Sequence, residues 1–316
     1  MKKNLVKRLT SGLLVTGLLA ASITGCGSSA SSSEVAEVKD GEVEASADAD
    51  AGFRTLDEIK ESGTINIGVF SDKSPFGYVD ENGEYAGYDV YLAERIGQDL
   101  GVDINYVSTE AANRIEYLQT GKVDIILANF TVTEERAEEV DFALPYMNVA
   151  LGVVSPSDAV IKSLDDIGAD DQIIVISGTT AETYLTKNYP DIKLQKYDAY
   201  AEAKTAFENG NGVAWANDNT EVIAFSLENE GYTVGIPSLG DQDTIAPAVT
   251  KGNESLLNWL NEEIESLGTE NFFHADYEET LVVEGGKVAD SSATEASSEA
   301  STATSSEAAT DASSAE

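Results

Sequence analysis

The most informative segment of the chain reads Val123-Asp-Ile-Ile-Leu-Ala-Asn-Phe-Thr-Val-Thr-Glu-Glu-Arg136. Its first half is an apolar run typical of a buried strand, and its second half is a polar loop leading into a short helix. Arg136 offers a planar fork of donors that matches a carboxylate, and the Thr131 hydroxyl can add another donor. Free N–H groups at a helix start also favour an anion. The alternative is that Thr133 only caps the helix and Arg136 pairs with a surface glutamate.

Strand and helix patterns alternate on both sides of this segment. Strands over 64–70, 102–107 and 123–128 alternate with helices over 89–100 and 111–119, and the same order returns between 173 and 216. This βαβαβ order predicts an α/β fold with mostly parallel sheets, and two such units predict two lobes around a cleft. Ligands bind beyond the carboxyl ends of strands in such sheets, where the polar loops 70–78, 129–136, 177–180 and 217–218 fall.

The N-terminus reads as an export signal. A basic start is followed by an apolar run over 13–21, which is too short to span a membrane. Ile23-Thr24-Gly25-Cys26 resembles the bacterial lipoprotein processing box and predicts a lipid attached to Cys26. Because this is the only cysteine in the chain, a disulfide within the chain is impossible. The alternative is an ordinary cleaved signal with an incidental cysteine.

Composition limits the possible partners. The formal net charge of −38 comes from 57 acidic and 19 basic residues, which excludes nucleic acid as a ligand because phosphates require a basic surface. Attachment to a membrane would therefore rest on the lipid at Cys26. The segments 26–52 and 288–316 are rich in Ser, Ala and acidic residues, so we expect a flexible tether and a disordered acidic tail.

Several motifs together resemble the amino-acid-binding proteins of ABC importers, the polar amino-acid family of extracellular solute-binding proteins. The segments that carry the resemblance are Gly68-Val-Phe-Ser-Asp-Lys-Ser-Pro-Phe-Gly-Tyr78, Gly87-Tyr-Asp-Val90, Asn129 to Arg136, Asp141-Phe-Ala-Leu-Pro-Tyr146, Gly178-Thr-Thr-Ala-Glu-Thr-Tyr184 and Asn217-Asp-Asn219. Three others, Glu110-Ala-Ala-Asn-Arg114, Phe272-Phe-His274 and Val283-Glu-Gly-Gly286, are most similar to a cysteine-binding subgroup.

The resemblance implies a two-lobed periplasmic-binding-protein-like fold (type II) with a cleft between the lobes. The implied division is a lipoprotein signal peptide over 1–25, a tether over 26–52, a first lobe built from 53–147 and 244–287, a second lobe over 148–243, and a tail over 288–316. Hinge strands are expected near 146–150 and 242–246. The implied partners are a small-molecule amino acid and a membrane permease, and a monomer without a cofactor is expected.

The resemblance also implies the roles of the site residues. Arg136, Thr131 and the backbone of Thr180, in the loop with Thr179, would hold the ligand's α-carboxylate. Asp218 would hold the α-ammonium with help from the backbone of Asn129. Phe76 would supply an apolar wall, with Asp72 in the same loop. Phe76 as ordinary core and Asp218 as a helix cap are the alternatives. Asn129 stands where many relatives carry a small residue such as Gly, which would suit a short ligand.

Arg114 bears on the choice of ligand. Related aspartate- and glutamate-binding proteins use an arginine in this helix against a side-chain carboxylate, whereas the subgroup resemblance favours cysteine. Arg114 can instead pair with Glu110 four residues earlier on the helix.

Two other classes of function share the predicted fold. A sensory module would use the same closing lobes, and some secreted dehydratases share the architecture. Catalysis would require positioned acid–base groups, yet the single histidine, His274, lies outside the pocket loops and the single cysteine belongs to the anchor. No pair of His or Cys ligands predicts a metal. The sequence therefore predicts a binding protein and not an enzyme.

Overall fold

Two five-stranded sheets organise the protein. The computed structural model describes residues 52–273 and the short strands 282–283 and 286–287. The predicted signal peptide, the tether up to residue 51, Cys26, His274 and the acidic tail lie outside the described residues. In chain order the strands are β1 (Thr64–Val69), β2 (Asp72–Lys73), β3 (Gly77–Val79), β4 (Tyr85–Ala86), β5 (Asp103–Ser108), β6 (Ile125–Ile126), β7 (Val140–Phe142), β8 (Met147–Pro156), β9 (Gln172–Ile176), β10 (Lys193–Tyr197), β11 (Ala214–Asp218), β12 (Tyr232–Ile245), β13 (Ala248–Thr250), β14 (Val282–Val283) and β15 (Gly286–Lys287).

Helices connect these strands. They are α1 (Leu56–Ser62), α2 (Tyr88–Leu100), α3 (Arg114–Gln119), α4 (Glu134–Glu139), α5 (Thr180–Asn188), α6 (Tyr200–Glu208), α7 (Asn219–Glu228) and α8 (Glu254–Thr269), with 3-10 turns at Ala111–Asn113 and Leu164–Asp166. Most predicted elements are present with ends displaced by one or two residues. The predicted helix 111–119 begins as a 3-10 turn.

Each sheet has four strands that run in one direction and one strand that opposes them, so the prediction of mostly parallel sheets is confirmed for strand direction. The first runs β5-β1-β6-β13-β7 and the second β10-β9-β11-β8-β12. In each, the three strands of the βαβαβ unit are parallel, as β5, β1 and β6 are, and the fourth strand, β13 or β8, is antiparallel to them. The fifth strand, β7 or β12, pairs antiparallel with the fourth and so runs in the direction of the first three. The pairing of β8 with β12 extends over a long stretch.

The paired strands β8 and β12 reach from the second sheet to residues of the first. Their pairing extends from Pro156 with Tyr232 to Met147 with Ile245 and contains three register shifts. At the far end Ile245 forms a bridge with Thr131, directly beside the loop that follows β6. The predicted hinge positions 146–150 and 242–246 fall in or next to the end of the β8–β12 pair at which Met147 pairs with Ile245. That they act as hinges remains a prediction.

Apolar faces of the helices cover the sheets. In α2 and α8, residues three or four apart are buried, among them Leu92 and Ile96 on one helix and Leu260 and Ile264 on the other. These side chains join one core cluster with the strands of the first sheet. Among the helices of the described residues, none is both long enough and apolar enough to cross a membrane.

Candidate functional site

Asn129 marks the point where the chain leaves β6 for the polar loop. Its φ of 44° lies in the left-handed region, which glycine and asparagine adopt more readily than most residues. Its backbone N–H donates to Asp89 Oδ2 at 2.7 Å, and its side-chain Oδ1 accepts from Lys73 Nζ at 2.5 Å. Its Nδ2 is buried and has no partner among the described residues. Hydrogen bonds to Asp89 and Lys73 therefore fix the conformation of the loop at Asn129.

Arg136 is a guanidinium without a carboxylate. Its Nη1 donates to the Thr131 carbonyl at 2.6 Å and its Nη2 to the Gly178 carbonyl at 3.0 Å. No ion pair to it occurs within the described part of the chain. Burial, followed by the charge of Arg114, lowers the pKa of Arg136 to about 9. Such a group gains from any anion that enters its surroundings.

Arg114 is fully buried and bonded to backbone. It donates to the carbonyls of Ala111, Ala128, Asn129 and Gly178 at 2.9–3.2 Å. No ion pair joins it to Glu110 in the described residues, and Glu110 accepts from Asn113 instead. Burial is the main cause of the lowered pKa of Arg114. The four carbonyls occupy most of its five donors and leave one N–H of Nη2 for a ligand.

Gly178, in the loop before α5, contacts both Arg114 and Arg136. Its carbonyl accepts from Arg114 and Arg136, and its φ is 77°. A Cβ at Gly178 would lie 2.6 Å from the Cα of Ala112. Only glycine allows this loop to approach the 3-10 turn so closely.

The two threonines after Gly178 start α5. Thr179 is the N-cap, with its hydroxyl accepting from Glu182 N at 3.3 Å, and Thr180 is the first helical residue. The first N–H groups of a helix lack intrahelical partners. The α5 start is thus an anion-binding element next to two cations.

Asp218 ends β11 and is a buried carboxylate without a hydrogen bond in the described structure. It is 5 % exposed and has one charged neighbour, Lys73 Nζ at 3.6 Å. Asp218 occupies the N-cap position of α7, as the alternative expects, but its side chain makes no cap hydrogen bond. The charge of Asp218 raises the pKa of Arg136, of Arg114 and of Lys73, so these four side chains share one electrostatic environment.

The remaining predicted residues lie around this group. Thr131 is buried, and its hydroxyl has no partner in the described residues. Phe76 is fully buried in the core cluster of the first sheet, and its ring faces Lys73 Nζ with the centroid at 5.1 Å. Asp72 Oδ2 accepts from the backbone N–H of Ala201, at the start of α6, at 3.1 Å.

Three residues of this site were not predicted from the sequence. Lys73 and Tyr200 meet at the centre of the cleft, with Lys73 Nζ 4.7 Å from the ring centroid. Asp89 accepts from Tyr146 and from Asn129, and burial raises its pKa to about 6. The only available signals in the sequence were that Asp89 lies in the Gly87-to-Val90 motif and Lys73 in the Gly68-to-Tyr78 motif. In residues 52–273, no cluster of three His, Cys, Asp or Glu has metal-binding geometry.

Two lobes of α/β structure, with Arg136 lacking a carboxylate partner and Asp218 lacking a hydrogen bond among the described residues, define the class of two-lobed solute-binding proteins. Residues 65–279 match the bacterial extracellular solute-binding proteins, family 3, and the chain belongs to this family. A crystal structure described as the solute receptor for L-cysteine of Neisseria gonorrhoeae is 50 % identical, with a TM-score of 0.71, and the match covers 72 % of this chain and 94 % of that one.

Two further relatives extend the comparison. The crystal structure of the cysteine-binding protein from Campylobacter jejuni is 48 % identical with a TM-score of 0.71, covering 74 % of this chain and 96 % of that chain. The ABC transporter glutamine-binding protein GlnH of Bacillus subtilis (strain 168) is 28 % identical over 281 residues, which is 87 % of this chain and 98 % of that protein. The resemblance to amino-acid-binding proteins, and to cysteine-binding ones among them, is confirmed.

Proposed function

We propose that this protein captures a free α-amino acid between its lobes and delivers it to the permease of an ABC importer. One observation carries the proposal: Arg136 is a cation without a carboxylate, and Asp218 is a carboxylate without a hydrogen bond, within electrostatic range of each other. An α-amino acid carries the two complementary charges on adjacent atoms. Buried charges of this kind are stabilised only by charged or hydrogen-bonding partners.

The proposed pose follows from these charges. The α-carboxylate lies against Arg136, the Thr131 hydroxyl and the first N–H groups of α5 at Thr180. The α-ammonium lies against Asp218 and the backbone of Asn129. Domain closure around the ligand then depends on the difference between its affinities for the closed and open forms.

Cysteine is the ligand that we propose. The two solved structures that are about half identical are described as cysteine receptors or cysteine-binding proteins. The side chain of Asn129 takes up space after the end of β6 that a smaller residue would leave to the ligand. The space that remains suits a ligand with a short side chain. The remaining donor of Arg114 is available to a side-chain acceptor, so aspartate or glutamate is the ligand to test against cysteine.

Thermal unfolding against each amino acid, with reductant present, tests the proposal. At a thousand times Kd a ligand adds about 4 kcal/mol, which corresponds to a rise in Tm of roughly 8–16 °C for a chain of this size. We expect the largest rise with cysteine. A larger rise with aspartate or glutamate would reassign the ligand, and no rise with any amino acid would contradict the proposed function.

We further propose that the protein is anchored to the outer face of the cell membrane by a lipid on Cys26. The support is the processing box over 23–26 and the tether that follows it. We expect Cys26→Ala to move the protein from the membrane fraction to the culture fluid, as measured by fractionation and immunoblotting. Membrane retention equal to that of the unaltered protein would contradict the anchor.

A further inference from the structure

A lysine lies buried between Asn129 on one side of the site and Asp218 and Tyr200 on the other. Lys73 is 1 % exposed and lies in the two-residue strand β2. Lysine is among the residues least often buried, because its charge must be removed from water. Lys73 can therefore be completely buried only if neighbouring groups replace the water that would otherwise stabilise its ammonium charge.

These neighbouring groups include three aromatic rings. Lys73 Nζ lies 5.5 Å from the ring centroid of Phe70, 5.1 Å from that of Phe76 and 4.7 Å from that of Tyr200. Cations are attracted to the faces of aromatic rings within about 6 Å of the centroid, and groups of such rings recognise ammonium ligands. The rings come from both halves of the cleft, since Tyr200 starts α6.

Acidic and amide oxygens also surround Lys73 Nζ. We call these groups, with the three rings, the cage: it consists of Phe70, Phe76, Tyr200, Asn129, Asp218 and Glu221. Asn129 Oδ1 accepts from Lys73 Nζ at 2.5 Å and Asp218 Oδ2 lies 3.6 Å away. Glu221 follows Asp218 by one turn of α7, is buried, and has a carboxylate oxygen without a partner among the described residues. Burial acts to lower the pKa of Lys73, but Tyr200, Asp218 and Glu221 outweigh it and raise that pKa.

The same environment extends beyond the lysine. A cavity of about 50 Å³ adjoins the cage and is lined by Tyr200, Trp215, Glu221 and Asp72. The Trp215 Nε1 and a Glu221 oxygen are buried there without partners in the described part of the protein. An acidic, aromatic pocket thus lies next to the place where we position the α-ammonium of the ligand.

We propose that Lys73 determines specificity by occupying, with its own ammonium, the subsite that the cationic side chain of a ligand would take. Aromatic faces and carboxylates arranged around one ammonium are the chemistry that recognises lysine, ornithine or arginine side chains. Here the chain supplies that cation itself, so only a short amino acid fits beside it. This inference rests on the proposed function and specifies its substrate class: short side chains are accepted and cationic ones are rejected.

Removing the internal cation should convert the specificity. Lys73→Ala deletes the side chain beyond its β-carbon, joins the vacated space to the cavity, and leaves Asp218 without its cation. We expect this variant to have a lower Tm than the unaltered protein and to gain affinity for lysine, ornithine or arginine by at least about tenfold, because a charge-assisted contact contributes about 1.5–3 kcal/mol. Isothermal titration calorimetry and thermal unfolding measure both effects.

Lys73→Met is the matched control. Methionine fills much of the same volume without a charge, so this variant should lose stability but should not gain affinity for the cationic amino acids. A gain in Lys73→Met equal to that in Lys73→Ala would show that charge removal and not vacated space is responsible, and would overturn the occupancy mechanism.

The unaltered protein provides a test that does not depend on the folding of any variant. It should bind cysteine or another short amino acid and give no heat with lysine, ornithine or arginine. Binding of these three as tight as that of the short ligand would overturn the inference and leave the proposed function standing. A folded Lys73→Ala protein with no gain for any of the three would overturn it as well. Absence of binding to every amino acid would reject the proposed function and the inference together.

Discussion

At the scale of single residues, Arg136 is the residue whose substitution should affect stability and ligand affinity most differently. It is largely desolvated, its hydrogen bonds in the described structure go only to backbone carbonyls, and its guanidinium lies 4.8 Å from the ring centroid of Phe130. We expect Arg136→Ala to leave the Tm of the ligand-free protein unchanged or higher, because an uncompensated charge is removed. Ligand affinity should fall by about 2–5 kcal/mol, because the ligand carboxylate then becomes desolvated without a partner. Thermal unfolding without ligand and calorimetric titration with cysteine measure the two effects.

An arginine outside the cleft provides the control for this variant. Arg95 forms ion pairs with Asp99 and Glu270 on the surface, where such pairs contribute little. Arg95→Ala should leave ligand affinity unchanged. If Arg136→Ala retained the affinity of the unaltered protein, Arg136 would not be the carboxylate partner.

The sequence allowed the residues of the strand-end loops to be predicted, but not their conformations or partners. Asn129, Arg136 and Asp218 lie at the ends of strands that the apolar pattern predicted. The φ of Asn129 and its bond to Asp89 depend on a residue 40 positions away in the chain. Lys73 could not be predicted as buried, because Tyr200, Asp218 and Glu221, which surround it together with Phe70 and Phe76 of its own loop, come from two distant segments of the chain.

At the scale of secondary-structure elements, the start of α6 depends on the other lobe. Ala199, its N-cap, offers no side-chain oxygen, and Asp72 Oδ2 accepts from Ala201 N instead. A carboxylate at a helix start is stabilising, at about 0.5–2 kcal/mol for a cap. We expect Asp72→Ala to weaken the binding of all accepted ligands by a similar factor, because it destabilises the closed form and not a particular ligand contact. Calorimetric affinities for cysteine and serine measure this.

Asp198 supplies the matched control near the same helix. It is exposed and belongs to the same half of the cleft as α6, so Asp198→Ala removes a charge close to the helix start without removing a bond across the cleft. Its ligand affinities should match those of the unaltered protein. A selective loss of one ligand in Asp72→Ala would instead place Asp72 in contact with that ligand's side chain.

Two kinds of element were predicted well, namely helices with a single buried face and short buried strands of the βαβαβ units. Helices such as α2 and α8 show an apolar stripe, and the parallel strands are bounded by turns. Strand β8 is buried on both faces over most of its length, so its sequence shows no alternation from which a strand could be assigned. The antiparallel pairing of β8 with β12 joins residues that are 76 positions (Pro156 and Tyr232) to 98 positions (Met147 and Ile245) apart in the sequence, and it depends on the tertiary arrangement of both sheets.

At the scale of the whole molecule, Glu221 should make stability depend on pH. Burial is the main cause of its raised pKa of about 8, with Lys73 and Lys204 opposing and Asp218 and Glu228 adding to the shift. Between the ordinary pKa of about 4.5 and 8, the unfolded chain releases a proton that the folded protein keeps. This group therefore contributes a decrease in the free energy of unfolding as pH rises through that window, by up to about 1.4 kcal/mol per pH unit.

Urea unfolding of the unaltered protein and of Glu221→Gln at pH 5, 6.5 and 8 measures this contribution. Glutamine cannot ionise, so the stability of the variant relative to the unaltered protein should increase from pH 5 to pH 8. Asp89, with its raised pKa near 6, adds a decrease of the same sign at the acidic end in both proteins. Parallel pH profiles of the two proteins would show that Glu221 is ionised in the folded state throughout.

Under the proposed function, the single carbonyl of Gly178, which accepts from both Arg114 and Arg136, has a consequence for energy use by the importer. Two guanidinium groups that bond one carbonyl repel each other, so the arrangement in which both reach Gly178 is electrostatically unfavourable by itself. An amino acid brings the missing negative charge and removes this penalty. A permease that responds to the closed form would then rarely meet an empty one, so ATP would be hydrolysed mainly when there is cargo to carry.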